Sequence, residues 1–183
     1  QADPNDPLKF SEATLEGARQ AEILLEFYRN YVPGCEKIQL TRTPHTLGLR
    51  ETRHIMGEYM LTADDLMNAR AFPDTIALGG YHMDIHSPDH GGLETKQPPT
   101  YQIPYRALLP KGVEGVVVAG RTISATHEAM SSTRVIPICM AMGQAAGTAA
   151  ALAAQDNRLP RDLDIKKLRS ALKGSGQIIE IPD

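Results

Sequence analysis

An excess of charge of either sign is lacking in this chain: 19 basic and 22 acidic residues leave a net charge of -3 over 183 residues, which argues against a uniformly basic nucleic-acid binder and leaves a local basic patch open. Cysteine is scarce too. Cys35 and Cys139 are the two present, and a lone, far-apart pair is no disulfide framework, so both are expected as free thiols. Three familiar motifs are missing: there is no GxGxxG dinucleotide turn, no GxxxxGK[ST] phosphate loop and no GxSxG elbow. Without the elbow, a Ser-His-Asp hydrolase built on Ser124 and His127 has little to stand on. Gly174 and Gly176 form a lone GxG near the C-terminus, not behind a strand. No signal peptide is visible.

What is present suits a globular chain able to bury a core, with 42% apolar and 22% charged residues. Residues 135–154 carry no charge and hold GxxxG at Gly143 and Gly147, which raises the question of a membrane span. Pro137, Gln144, Thr148 and the use of alanine rather than leucine argue against one, so no membrane partner is expected.

Residues 113–154 organise the rest. Val116, Val117 and Val118, closed by Ala119-Gly120, read as a buried strand ending in a turn. A small-sided helix follows, in which Gly143, Ala145, Ala146, Gly147 and their neighbours would let a sheet, a backbone or a flat ligand approach closely. Between them lies a polar loop with Arg121, Ser124, Thr126, His127, Ser131, Ser132 and Arg134. Ligands in open α/β sheets bind outside the carboxyl ends of the strands, where helix N-termini present free N–H groups. Two arginines there suit a phosphate, a carboxylate or the electron-rich edge of a cofactor ring.

In chain order, residues 1–9 read as an unstructured lead-in, and Ser11 as the N-cap of an amphipathic helix through Tyr31 that Pro33-Gly34 ends. Residues 37–61 read as strand, with Arg50 and Arg53 an odd number of steps apart and so on opposite faces. Thr62 and Asp65 form a capping box for a short helix through Arg70. Residues 75–78 form a strand candidate turned by Gly79-Gly80. His82, Asp84 and His86 alternate, a spacing compatible with a metal site or a polar substrate, although solvated or core histidines are the commoner outcome. Residues 87–100 have loop composition. Residues 101–108 read as an edge strand because of Pro104. Pro160 opens a last amphipathic helix with Leu163, Ile165, Leu168 and Leu172 inward, Gly174 ends it, and Ile178, Ile179 and Ile181 make a terminal strand. The fold class expected is α/β to α+β.

The wording AGRTISATHEAMSSTRVIP followed by CMAMGQAAGTAAA resembles the C-terminal signature of FAD-dependent oxidoreductases of the glutathione-reductase-like superfamily, in the branch with a GRxISATH-type loop. The resemblance extends back through IPYRALLPKGVEGVVVAGR, FPDTIALGGYHMDIH and LGLRETRHIMGEYMLT, covering residues 40–155. It implies four segments: an N-terminal helical segment (1–35), a substrate-side sheet region with flanking helices (36–110), the last strand and helix of an FAD-binding Rossmann-like domain (111–157), and a C-terminal helix with a short strand (158–183). It implies FAD as cofactor and a small-molecule substrate, and it gives Gly120 the close backbone approach to the cofactor. Arg121 stands where many superfamily members have an acidic residue, which matches the GRxISATH-type branch. Gly143, Gln144, Ala145 and Ala146 match a helix start whose N–H groups face the flavin pyrimidine edge, where a positive helix end stabilises the reduced ring. Ser124 and Arg134 complete the expected cofactor contacts, His127 is the base candidate, and one of the pair Arg50 and Arg53 is the substrate-side arginine, with Arg53 the named candidate.

With no GxGxxG, and with Gln1 in place of an initiator Met, the chain is expected to be the C-terminal portion of a longer flavoenzyme. The N-terminal FAD-binding half would then be its partner, and the piece alone would be colourless and inactive. An exposed apolar patch at the interface would favour a homodimer. The alternative is a non-catalytic α/β module that binds an anion or a protein partner at residues 121–134.

Overall fold

The computed structural model describes residues 5–86 and 93–181, the side chains at 86, 93 and 94 excepted. It divides into two compact units, Gln1–Thr52 and Arg53–Asp183.

The first unit is built on helix α1, Pro7–Tyr31. The helix starts four residues before the expected Ser11. Asp6 is the N-cap, its Oδ1 accepting from the N–H groups of Leu8 (3.0 Å) and Lys9 (3.4 Å), and Pro7 suits the first helical position because its missing N–H would have had no partner there. Ser11 Oγ instead donates back to Pro7 O at 2.7 Å, as serine does inside a helix. The helix ends at Val32 before Pro33, with Gly34 at φ 88° turning the chain. Arg29 then donates twice to Ile38 O, at 3.0 and 2.8 Å, holding the following segment. Residues 38–52 form no strand, contrary to the reading of the alternation at 38–41. No described strand pairs with them, and the Arg29 clamp is a side-chain contact, not a ladder.

The second unit mixes helices with two small antiparallel sheets, so the mixed class expected from the sequence holds. Strand β1 (Thr75–Gly79) pairs with β4 (Tyr101–Pro104), and β2 (Met83–His86) pairs with β3 (Leu93–Lys96). The β3 strand falls inside 87–100, whose composition predicts loop throughout; residues 87–92 lie outside the described residues. Strand β4 stops at Pro104, which has no N–H to continue the ladder, and 101–108 finishes as a 3-10 turn over Tyr105–Leu108.

Helix α2 (Ala63–Met67) starts in the expected capping box, with Thr62 Oγ1 accepting from Asp65 N and Asp65 Oδ2 accepting from Thr62 N. It ends short of Arg70, because Asn68 caps it and Ala69 turns out at φ 45°.

Val116–Val118 form no strand in the described residues. Val118 N donates to Leu108 O at 2.9 Å, but no described segment continues the pairing and Val116 stays 43% exposed. The helix that follows is longer than the alanine run implied. Helix α3 (His127–Thr133) comes first, then α4 (Ile136–Gln155) after a break at Arg134-Val135. Helix α4 is long and apolar enough to cross a membrane by length and composition. Here it lays Ile138, Met142, Ala145, Ala149 and Ala153 into the core against β1 and helix α5 (Ile165–Gly174). A 3-10 turn, Pro160–Asp162, precedes α5, whose N-cap is Asp164 rather than a residue beside Pro160. Leu163, Leu168 and Leu172 face inward as expected. The terminal isoleucines do not form a strand: Ile179 is buried, whereas Ile178 and Ile181 are exposed.

Candidate functional site

The polar loop between Val118 and α4 is held by a segment far away in sequence. Ile55 N donates to Thr122 O at 3.0 Å, Leu61 N to Ser124 O at 3.0 Å, and Thr126 N to Leu61 O at 2.9 Å. Leu61 and Ala125 form a parallel bridge, and His54 Nδ1 lies 3.1 Å from Ile123 O. Residues 53–61 therefore run beside residues 120–126, which brings the segment carrying Arg53 alongside the loop carrying Arg121 and His127. The two blocks were singled out separately in the sequence. Backbone hydrogen bonding joins them.

At the head of the loop Gly120 takes φ 82°, a conformation that disfavours a side chain, and a Cβ built there would meet nothing within 4 Å. Arg121 is exposed, inside a 3-10 turn over Gly120–Thr122 that packs on α4. Ser124 is fully buried instead of facing a ligand, and Gly57 packs on it so closely that a Cβ on the glycine would lie 2.6 Å from Ser124 Cβ. Its Oγ has no partner among the described residues.

Thr126 caps α3 by accepting from Ala129 N at 3.4 Å, which leaves His127 exposed at the first helical position. The Glu128 carboxyl is held below the usual range, first by its own backbone N–H and then by the Thr126 hydroxyl, with burial opposing and His127 and Lys96 adding charge. Ser131 donates to Glu128 O at 2.6 Å. Ser132 donates to Tyr81 O and meets Tyr101 OH at 2.6 Å, and so ties α3 to the chain between the two sheets.

Arg134 ends α3 and is only 12% exposed at its side chain. Its Nη2 donates to Asp84 O at 3.1 Å and to Asp84 Oδ2 at 3.2 Å. With Arg121, Ile136, Cys139 and Met140 it lines an open cleft of about 420 Å³ at the first turn of α4. Burial pushes the Cys139 thiol up, while the Arg121 charge pulls the other way, so the arginine is close enough to act on it. Gly143, Gln144, Ala145 and Ala146 are not at a helix start. They lie about two turns inside α4, where backbone N–H groups are spent on the helix itself. The free helix end belongs to Ile136 and Ile138, with Pro137 between them. Gly143 is exposed with nothing within 4 Å of a built Cβ, Ala145 is buried, and Gln144 Nε2 donates to Ser175 Oγ at 2.9 Å.

Of the spaced His82, Asp84 and His86, Asp84 pairs with Arg134, His82 stacks on Tyr81 with ring centroids 4.0 Å apart, and the side chain at 86 lies outside the described residues. Among the described residues no cluster of three His, Cys, Asp or Glu side chains could hold a metal. Asp84 was missed as a partner of the loop; its alternation with two histidines drew attention to metal ligation, and no spacing rule links residue 84 to residue 134. A smaller cavity of about 230 Å³ in the first unit, between α1 and residues 43–48, has no ionisable side chain among those that line it.

No curated protein and no solved structure matches the chain. The family model for FAD-dependent oxidoreductases matches residues 1–172, nearly the whole length, and the chain belongs to that family.

Proposed function

We propose that this chain supplies the substrate-side wall and one edge of the flavin site of an FAD-dependent oxidoreductase acting on a small molecule. The observation that carries the reading is the pairing of residues 54–61 with residues 122–126, which sets a substrate-side segment against the loop expected to meet the cofactor. The residues present suit the edge of a flat cofactor. Gly120 offers bare backbone at positive φ with open space before it, and Gly143 leaves the neighbouring face of α4 bare as well.

In this reading Gly120 and Arg121 border the cofactor, with Ser124 acting from beneath by fixing the loop. The dipole of α4, acting from Ile136 and not from the Gly143–Ala146 turn, favours negative charge at its start. The chemistry a flavin would supply when bound is that of a hydride acceptor. His127 serves as proton acceptor from an exposed position at the start of α3, and Arg53 orients an electron-rich group of the substrate. The last strand and helix of a Rossmann-like domain correspond to 116–118 and α4, with Val116–Val118 an extended segment whose pairing partner comes from outside the described residues. The chain has no GxGxxG turn, so the pyrophosphate contacts that anchor a dinucleotide come from a further FAD-binding segment, which is the partner proposed here.

The visible absorbance spectrum tests this. The purified chain mixed with FAD and desalted is expected to lose its flavin bands, because an edge without the pyrophosphate turn binds weakly. Bands that survive desalting would show a self-sufficient cofactor domain and overturn the half-site reading.

A further inference from the structure

We infer that the recess between the end of β1 and α4 is the subsite for a flat, uncharged group of the substrate, such as an aromatic ring. The inference rests on the reading of this chain as the substrate-side wall of a flavoenzyme, and it adds the chemical class of what that wall takes.

The recess has a volume of about 390 Å³ and is bounded by Leu78, Gly79, Gly80 and Tyr81, with Thr100 beside them and Pro137 and Ile138 across from them on α4. Ile136, Cys139 and Met140 line the separate cleft that holds Arg121, so at 100° per residue the two openings fall on different faces of the helix. An apolar cavity of about 150 Å³ accommodates benzene, and the recess therefore has room for a ring with substituents.

The lining decides the class. No carboxylate, amine, guanidinium or imidazole is among the described residues that bound it, and Pro137 has no N–H to give. A charged group brought here would lose water without gaining a partner. The side-chain polar groups on the wall are the hydroxyls of Tyr81 and Thr100, each able to donate or accept. Apolar walls with a few orienting polar groups are the usual composition of a small-molecule pocket.

Flatness follows from the glycines. Gly79 and Gly80 leave two successive peptide groups uncovered, and a Cβ on Gly80 would meet nothing nearer than Thr100 Oγ1 at 3.9 Å. A flat group can lie on bare backbone with its whole face, where a puckered one of the same size touches at fewer atoms and loses dispersion contacts.

The wall is set before anything binds. Tyr81 O accepts from Ser132 Oγ, and because a hydroxyl has one proton, Ser132 in turn accepts from Tyr101 OH at 2.6 Å. Gly80 O accepts from Gln97 Nε2 at 3.0 Å. Gly79 pairs with Tyr101 across the sheet, so closely that a Cβ on the glycine would run into the tyrosine ring. Each of the three residues is thus held by a partner of its own, and a pre-formed wall loses little freedom on binding.

The test is a titration of the chain with phenol and, separately, cyclohexanol, which match in size and carry the same hydroxyl, followed by backbone amide shifts. Phenol is expected to bind saturably, with shifts at 78–81, 100, 135 and 138, and about threefold or more tightly than cyclohexanol. Gly80→Leu fills the recess and is expected to weaken phenol roughly tenfold or more, and Gly80→Ala to weaken it by a smaller factor. Gly80 is not among the glycines at positive φ, so a side chain is tolerated there; should the leucine variant not fold, the alanine variant carries the test. Arg158→Gln, exposed and elsewhere, is expected to change nothing.

Absence of saturable phenol binding, equal binding of cyclohexanol, or binding indifferent to both Gly80 substitutions overturns the inference. Competition with millimolar FAD separates substrate from cofactor. Phenol and FAD are expected to bind together, and displacement of phenol from these residues would assign the recess to the flavin ring and overturn the substrate assignment. Because the phenol titration needs no flavin, its failure would leave the flavin reading standing, to be judged on FAD binding alone.

Discussion

Substitution of Gly57 by alanine tests the contact that joins the two halves of the candidate site. A Cβ at Gly57 would lie 2.6 Å from Ser124 Cβ, 3.1 Å from its Oγ and 3.2 Å from Tyr59 O. Carbon atoms rest comfortably at about 3.5–4.0 Å, so about 1 Å of movement is required. Ser124 Cβ is tied to a backbone pinned on both sides, with its N–H donating to Ala107 O at 3.0 Å and its carbonyl accepting from Leu61 at 3.0 Å. The strain therefore falls on the loop. Overpacking of this kind costs about 1–3 kcal/mol, against which removing a glycine returns about 0.4–1 kcal/mol through the unfolded state. Taking about 2–4 °C per kcal/mol for a chain of this size, the melting temperature should fall by several degrees. Adding Ser124→Gly removes both offending Ser124 atoms, so the double variant should recover most of the loss beyond the small cost of the extra glycine. Thermal denaturation followed by circular dichroism measures both. A Gly57→Ala variant as stable as the parent, or a double variant that recovers nothing, would refute the packing argument and with it the close apposition of the two segments.

Ser124→Ala removes a buried hydroxyl that has no partner among the described residues. Urea denaturation should show stability unchanged or raised, by up to about 1 kcal/mol, and a loss of several kcal/mol would mean that the hydroxyl has a partner after all. The Asp65 carboxyl sits below the usual range: burial works against this, but hydrogen bonds from Thr62, Tyr59 and Arg70 outweigh it. A depressed folded value contributes stability that is present above about pH 4 and is lost as pH falls through that lower value. Asp65→Asn should therefore flatten the pH dependence of stability below about pH 4, and an unchanged acid profile would contradict the network. Burial pushes Tyr101 and Tyr105 up to about 12. Their contribution is fully present below about pH 10, the ordinary tyrosine value, and is lost as pH rises toward the folded value. Replacing both by phenylalanine should remove much of the alkaline destabilisation in that window, read from the melting temperature against pH.

Local chemistry was legible in the sequence and long-range pairing was not. The capping box at Thr62 and Asp65, the inward leucines of α5 and the β1 strand follow from spacing and capping alone. The start of α1 escapes a reading of residues 1–9 as unstructured lead-in, although aspartate before proline, as in Asp6-Pro7, is a strong helix opening. Val116–Val118 read as strand from β-branching, but a strand also needs a neighbour, and β-branching says nothing of one. The alanine run hid the true start of α4, since Ile136-Pro137 begins it with no side-chain cap. In the site, Arg121, His127 and Arg134 stood out as polar residues in an apolar stretch. That Asp84 clamps Arg134, and that residues 54–61 line the loop, depends on contacts spanning 50 or more residues, which no local pattern carries.

The most direct test of the flavin reading is the amide shift map of isotopically labelled chain titrated with FAD to millimolar concentration, where even weak binding is visible. The account predicts shifts concentrated at residues 53–61, 120–127 and 134–140. No shifts at these positions, or shifts confined to the cavity of the first unit at residues 14–48, would contradict it.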